Sequence, residues 1–224
     1  MTGTSSTFRI LAKRRGRAAF LDSIVINGKV LDVGCGNRSP GRCKAQRPDI
    51  HYIGLDIDDY NQDSESTLSA ESYIITSPDK FADEIVKFQG QLDAVLSSHN
   101  IEHCNNPNDV LMAMLRSLKA GGKIYLAFPC EESVTFPKRR GTLNFYDDAT
   151  HQAVPNYENI CALIKAEGLQ IEFASKRYRP FLLMALGFLL EPISAMVRKN
   201  MPAGSTWALY GFESVIWATR PAQG

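Results

Sequence analysis

The residues best placed to do chemistry begin at a strand-like run, Val30-Leu31-Asp32-Val33, that stops at Gly34-Cys35-Gly36-Asn37. Gly34 lets the backbone turn sharply, and Gly36 lets a ligand approach the chain with no side chain in the way. About twenty residues on, Tyr52-Ile53-Gly54-Leu55 ends in Asp56. A carboxylate there can accept both hydroxyls of a ribose, because it carries several lone-pair sites. Together the turn and the acid predict a nucleoside-bearing cofactor at the carboxyl end of a central strand.

The elements that must hold these groups are legible as alternating strand-like and helix-like stretches. Short apolar runs at 29–33, 51–55, 72–76, 92–96 and 123–128 suit strands buried on both faces. A helix is expected from Asn106 as N-cap, with Val110, Leu111, Met114, Leu115 and Leu118 on one face, Lys119 in its last turn and Gly121-Gly122 stopping it. Residues 81–88 read as a short helix. Asn156 caps a second predicted helix carrying Tyr157, Ile160, Cys161 and Ile164. Runs at 169–174 and 213–219 supply two closing strands. The alternation predicts an α/β, mostly parallel, doubly wound sheet, and the last two strands suggest an antiparallel edge.

Four segments in order, VLDVGCGN, YIGLDID, LDAVLSSHNIEH and LKAGGKIYLAFP, resemble the successive motifs of class I S-adenosylmethionine-dependent methyltransferases. The likeness is to the branch with small-molecule, lipid and glycan substrates and covers roughly residues 25–130. It implies a Rossmann-like domain with a seven-stranded sheet and an antiparallel edge hairpin, and S-adenosylmethionine as cofactor. By position it implies that Asp32, Gly34, Cys35 and Gly36 line the methionine portion, Asp56 holds the ribose and Ile57 packs on the adenine. Ser97, Ser98 and His99 would border the sulfonium and the substrate, and Ser77 or Asp79 would meet the adenine. One departure stands out: the family's usual third glycine falls at Arg38. A nicotinamide enzyme would show G-x-G-x-x-G, which is absent here.

Methyl transfer from a sulfonium is an in-line displacement in which the protein mainly aligns a nucleophile and excludes water. A hydroxyl acceptor also benefits from a general base. The candidates are His99, His103 and His151, with Asp147 and Asp148 close to the last in sequence. The Glu102-His103 pair recurs in the family as a loop and helix-start element, so His103 is the weaker candidate. The loop from Asn144 to His151 resembles a region of glycan and surface-polysaccharide methyltransferases, and His151, oriented by Asp148, is expected to be the base or an acceptor-binding residue. The expected reaction is therefore O-methylation of a small molecule or glycan, including a lipid-linked sugar. Methylation at nitrogen or carbon, and a non-catalytic cofactor-binding role, are the alternatives. No metal-ligand set is assigned, although the two histidine-bearing loops leave metal assistance open.

The remaining features bound the setting. A formal charge of +1 and the absence of an Asn/Asp-Pro-Pro-Tyr motif argue against a nucleic-acid substrate. Five cysteines, none at C-x-x-C spacing, fit a reducing cytoplasm better than a disulfide framework. The chain reads as one domain over 1–224, with a basic N-terminal helical extension over 1–24 that is not a secretory signal. Residues 179–206 form an apolar insertion between the last two strands, with Glu191-Pro192 interrupting its apolar run. Stretch 181–197, with basic residues on both flanks, could serve as a homodimer contact, a lid or a peripheral membrane contact.

Overall fold

The structure, a computed structural model, describes residues 14–222. In chain order the elements are α1 (Arg17–Asp22), β1 (Lys29–Val33), α2 (Ser39–Gln46), β2 (His51–Asp56), α3 (Ser64–Leu68), β3 (Ser72–Ile75), α4 (Phe81–Val86), β4 (Leu92–Ser98), α5 (Pro107–Ser117) and β5 (Leu118–Pro129). They continue with α6 (Tyr157–Ala166), β6 (Gln170–Ser175), α7 (Phe181–Val197), α8 (Ser205–Tyr210) and β7 (Glu213–Thr219). The strands form one sheet in the order β3-β2-β1-β4-β5-β7-β6. β1 to β5 are parallel, and β7 is antiparallel to both of its neighbours. This is the expected Rossmann-like sheet with an antiparallel hairpin at its edge. The order reverses between β1 and β4, which opens a crevice at their carboxyl ends.

Strand alternation builds two cores. Leu31, Val95, Ile124, Leu126 and Ile216 face α5 and α6, where they meet Leu111, Met114, Ile160 and Ile164. Their neighbours Val30, Ala94, Leu96, Tyr125 and Trp217 face the other way, onto Phe20 of α1 and Ile50. Phe20 meets Trp217 edge-on, with ring centroids 5.2 Å apart. A sheet covered on both faces reads as near-continuous apolar runs, which is why the strands are visible in the sequence.

α1 also delivers a charge to the end of β1. Asp32, only 2% exposed, accepts from Arg17 Nη2 at 2.6 Å, from the Tyr52 hydroxyl at 2.5 Å and from the Ser39 hydroxyl. One buried carboxylate thus joins α1, β1, α2 and β2.

The structure corrects several sequence-based boundaries. α5 ends at Ser117, and Leu118 and Lys119 already belong to β5, where Lys119 Nζ meets Asp93 at 2.6 Å. The pairing of Leu92 with Leu118 explains this, because the ladder starts before the Gly121-Gly122 turn and resumes after a register shift. Asn106 precedes α5 without a side-chain cap bond among the described residues, whereas Asn156 caps α6 by accepting from Asn159 N at 2.8 Å. Glu191 and Pro192 end the charge-free run but not the helix: α7 spans 17 residues with Pro192 inside it. Of the predicted N-terminal extension, the described residues include α1, and residues 1–13 lie outside the described part. The insertion consists of α7 and α8, packed closely at Gly187, where a Cβ would collide with the Ser205 carbonyl.

Removing one partner of a buried ion pair costs about 3–5 kcal/mol, because the other charge is left without compensation. Arg17→Met should therefore lower the urea midpoint sharply. Lys87→Ala, which breaks the exposed Lys87–Glu84 pair, should leave the midpoint nearly unchanged. Equal midpoints for the two variants would refute the anchoring role of Asp32.

Candidate active site

The crevice at the switch point opens into a cavity of about 960 Å³, at the upper end of the roughly 300–1,000 Å³ typical of small-molecule sites. Its floor is the turn after β1. Gly34 has φ +77°, and a Cβ there would lie 2.6 Å from Asn100 Oδ1, so both conformation and space demand glycine. Asn37 and Arg38 follow at φ 57° and 58°. Arg38 thus adopts the left-handed conformation a glycine would take, and α2 starts directly after it. The β2–α3 connection supports this unfavourable geometry. Asn61 Nδ2 donates to Asn37 Oδ1 at 2.8 Å, Gln62 Nε2 donates to the Cys35 carbonyl at 2.7 Å, and Arg38 Nε pairs with Asp63 at 2.8 Å.

The cofactor end of the cavity is lined by Gly34, Gly36, Asp56, Ile57, Pro78, Asp79 and Ala82. A Cβ at Gly36 would stand 3.1 Å from Tyr60 and 3.5 Å from Asp56 Oδ2, so its absence keeps that carboxylate reachable. Burial raises the Asp56 pKa, opposed by backbone N–H groups of Ile57 and Gly36. Ile57 is 50% exposed yet lines the cavity, an apolar surface suited to a flat base. A sugar-accepting acid beside an apolar platform and an open glycine turn fits a nucleoside cofactor. Of the two residues considered for the adenine, Asp79 lines the cavity and Ser77 does not.

Three expected contacts lie behind the wall rather than on it. Asp32 points into the network with Arg17, Ser39 and Tyr52, and holds the turn from beneath. Cys35 is fully buried, with Sγ in the space a Gly54 side chain would need, and burial pushes its thiol pKa well up. Ser97 is buried and its hydroxyl has no partner among the described residues, while Ser98 reaches the cavity. For Asp32 and Ser97, strand alternation, which motif spacing does not resolve, decides which residue faces the cavity.

The opposite end is lined by His99, His103, Thr142, Thr150, His151, Trp207 and Phe212. His99 Nδ1 meets Glu102 Oε1 at 3.1 Å and Nε2 meets Glu213 Oε1 at 3.3 Å. Burial disfavours its charged form, but the two carboxylates prevail and raise its pKa to about 9. With both nitrogens so engaged, His99 has no lone pair for a substrate proton. Its ring lies 5.0 Å from Trp207 and stacks 6.0 Å from Phe212. Trp207 sits on α8, inside the insertion, and Glu213 opens β7. No sequence motif marked either residue.

Among the described residues the Asp148 carboxylate makes its hydrogen bonds to Thr150 and none to the His151 ring, which it meets through charge alone. It accepts from Thr150 N at 2.9 Å and from Thr150 Oγ1 at 2.6 Å; burial opposes its charge, but these bonds hold its pKa down. The Thr150 hydroxyl lies 3.0 Å from His103 Nδ1, and the Thr150 carbonyl 3.3 Å from it. His151 Nδ1 is 2.6 Å from the Phe145 carbonyl, which can only accept, so this nitrogen carries a proton. The same reasoning protonates His103 Nδ1. The two rings meet at 4.7 Å, and both Nε2 atoms are left to act. Asp147 is structural: its Oδ2 accepts backbone N–H groups of Arg139, Leu143 and Asn144 at 3.0, 3.0 and 2.9 Å.

Comparison with known proteins shows the family and the fold of the chain. The family model described as a methyltransferase domain matches residues 6–172. A ubiquinone biosynthesis O-methyltransferase of Pseudomonas fluorescens (strain SBW25) is 31% identical over 105 residues, 44% of this chain. The match spans 43% of that relative, less than half its length. A SAM-dependent methyltransferase from Archaeoglobus fulgidus has the same fold, with TM-score 0.56, 19% identity and 94% of each chain covered. Another from Mesorhizobium loti gives TM-score 0.58 at 12% identity, over 91% of this chain and 97% of that one.

A charge-assisted hydrogen bond contributes about 1.5–3 kcal/mol. Asp56→Ala should therefore weaken binding of S-adenosylhomocysteine roughly ten- to a hundredfold by calorimetry, with the thermal midpoint preserved. Undiminished affinity in the folded variant would remove Asp56 from the site.

Proposed function

This chain belongs to the methyltransferase-domain family of S-adenosylmethionine-dependent enzymes, and on that premise we propose that it methylates a hydroxyl of a small or glycan-type acceptor presented at a lipid surface. The carrying observation is the His103–His151 pair, whose Nδ1 atoms are tied to carbonyl oxygens so that both Nε2 lone pairs serve the cavity. The cofactor supplies an activated methyl group on a sulfonium. Asp56 and Ile57 would hold its nucleoside, and the Gly34–Gly36 turn would admit its amino-acid part. The lining carries six aspartates, Asp56, Asp58, Asp79, Asp83, Asp109 and Asp148, against one arginine, Arg116. That balance favours a cationic ligand.

At the far end, Asn105, Asn106, Thr142, Thr150 and Gln152 offer neutral amides and hydroxyls suited to a polyhydroxylated acceptor. The acceptor hydroxyl gives up its proton at the histidine pair as its oxygen takes the methyl group. Trp207 and Phe212 form an apolar wall that keeps water out. A relative named for O-methylation in ubiquinone biosynthesis supports oxygen over nitrogen or carbon.

The lipid surface is argued from α7. It buries only Leu183, Gly187 and Ser194, and leaves Phe181, Leu182, Phe188, Leu189, Ile193 and Met196 exposed. A helix apolar all round is normally covered. Beside its C-terminus lies a second recess of about 650 Å³ lined by Lys138, Arg139, Arg140 and Arg198, with Met196 and Val197. Apolar side chains next to a basic recess suit an anionic headgroup region. No helix among the described residues is long and apolar enough to cross a membrane, so the contact is interfacial.

His151→Ala should abolish product formation while leaving S-adenosylhomocysteine affinity intact; a variant with full turnover would remove the pair from the chemistry. In flotation, the protein should rise with vesicles containing anionic lipid, and Leu189→Asp should stay in solution. Failure of the wild type to float, with a dimer seen by sedimentation, would assign α7 to a second copy instead.

A further inference from the structure

We propose that Glu102, His103 and His151 form a binding site for a divalent transition-metal ion of the zinc type, at the acceptor end of the cavity. One carboxylate oxygen of Glu102 and one ring nitrogen of each histidine lie within 4.8 Å of one another. Three atoms so spaced always have a point no more than about 2.8 Å from any of them, so shifts under ~1 Å bring the ligands to the roughly 2.0–2.2 Å of zinc-type bonds.

Three independent features prepare the ligands. His151 Nδ1 donates to the Phe145 carbonyl and His103 Nδ1 to the Thr150 carbonyl, which fixes the tautomer with a lone pair on Nε2. Histidine ligands are commonly held in this way, with the other ring nitrogen bonded to a backbone carbonyl or carboxylate. The Glu102 side chain is completely buried, and its Oε2 has no hydrogen-bond partner among the described residues. An unpartnered buried carboxylate oxygen is costly, and coordination to a cation removes that cost. Finally, Glu102 shares His99 with Glu213. That contact engages Glu102 Oε1 and leaves Oε2 as the oxygen available to an ion.

The donor set chooses the ion. Two imidazoles and one carboxylate suit zinc, cobalt, iron or nickel better than magnesium or calcium, which prefer all-oxygen shells. Three protein ligands leave positions open for water or substrate oxygen. Resting on the reading that this end takes the acceptor, the ion would receive the hydroxyl oxygen directly. Ligation would lower the hydroxyl pKa and release its proton to water, and the alkoxide oxygen would bond to the methyl carbon as the carbon–sulfur bond breaks and S-adenosylhomocysteine leaves. With their Nε2 lone pairs on the ion, the histidines would activate the acceptor through the metal instead of accepting its proton themselves. It gives Glu102 a role that its place in a loop motif did not suggest.

The test is to strip the whole protein with EDTA, remove the chelator and titrate Co²⁺ and Zn²⁺. One equivalent should bind, with Co²⁺ developing visible absorption of a mixed nitrogen and oxygen site. Glu102→Gln and His103→Gln should each weaken binding at least tenfold, with wild-type affinity for S-adenosylhomocysteine showing that both are folded. No cobalt spectrum at millimolar ion, or unchanged ion affinity in both variants, would overturn the site. Ion binding without O-methylated product would leave the site standing and sink the proposed function. Methyl transfer to hydroxyls that EDTA does not slow, in protein that binds no ion, would do the reverse.

Discussion

The site depends on a single buried carboxylate. Asp32 ends β1 facing away from the cavity, and its charge must be met inside the protein because water does not reach it. Arg17, Tyr52 and Ser39 meet it from three elements. α1 is thereby drawn onto the sheet beside Trp217, β2 is tied to β1 through a side chain as well as the ladder, and the start of α2 is fixed. With β1 and α2 both held, Gly34 to Arg38 must bridge a set gap, and the left-handed residues in that turn follow from the constraint. Asp32, expected along the methionine portion of the cofactor, is spent on holding the turn that lines the cavity.

Two further layers rest on that turn. The β2–α3 connection bonds to Asn37, Cys35 and Arg38, so the acid at the end of β2 and the glycine floor form one unit. The insertion closes the other end. Arg139 reaches Glu191 of α7 at 2.8 Å, and Gly187 lets α8 approach α7 closely. α8 then carries Trp207 onto His99, and the Trp207 indole donates to the Thr142 carbonyl at 2.7 Å. A helix whose outer surface is apolar is thus linked by packing to the histidine end of the cavity.

The sequence revealed much of this and missed the rest for identifiable reasons. Strands β1, β2, β4 and β7 were legible because a sheet buried on both faces leaves apolar runs, and the turn after β1 because close backbone approach demands glycine. Asp56 was visible by its spacing. The start of β5 was not, because Leu118 pairs with Leu92 across a bulge that no local pattern announces. Asp32, Cys35 and Ser97 were assigned to the cavity from motif position, yet alternation along β1 and β4 turns Asp32 and Ser97 to the interior, and the turn after β1 buries Cys35 against Gly54. The third glycine's absence mattered less than the spacing suggested, since Arg38 adopts the conformation itself. Trp207, Glu213 and the Phe145 carbonyl reach the site through tertiary packing, and only coordinates bring them together.

The central claim is that one crevice holds a nucleoside cofactor at Asp56 and presents its reactive centre to the His103–His151 end. A crystal structure of the protein with S-adenosylhomocysteine tests it most directly. The account predicts ribose hydroxyls on the Asp56 carboxylate, the base over Ile57, and the thioether sulfur facing the two histidines across open space. A ligand bound elsewhere, or one whose sulfur is walled off from those histidines, would contradict it.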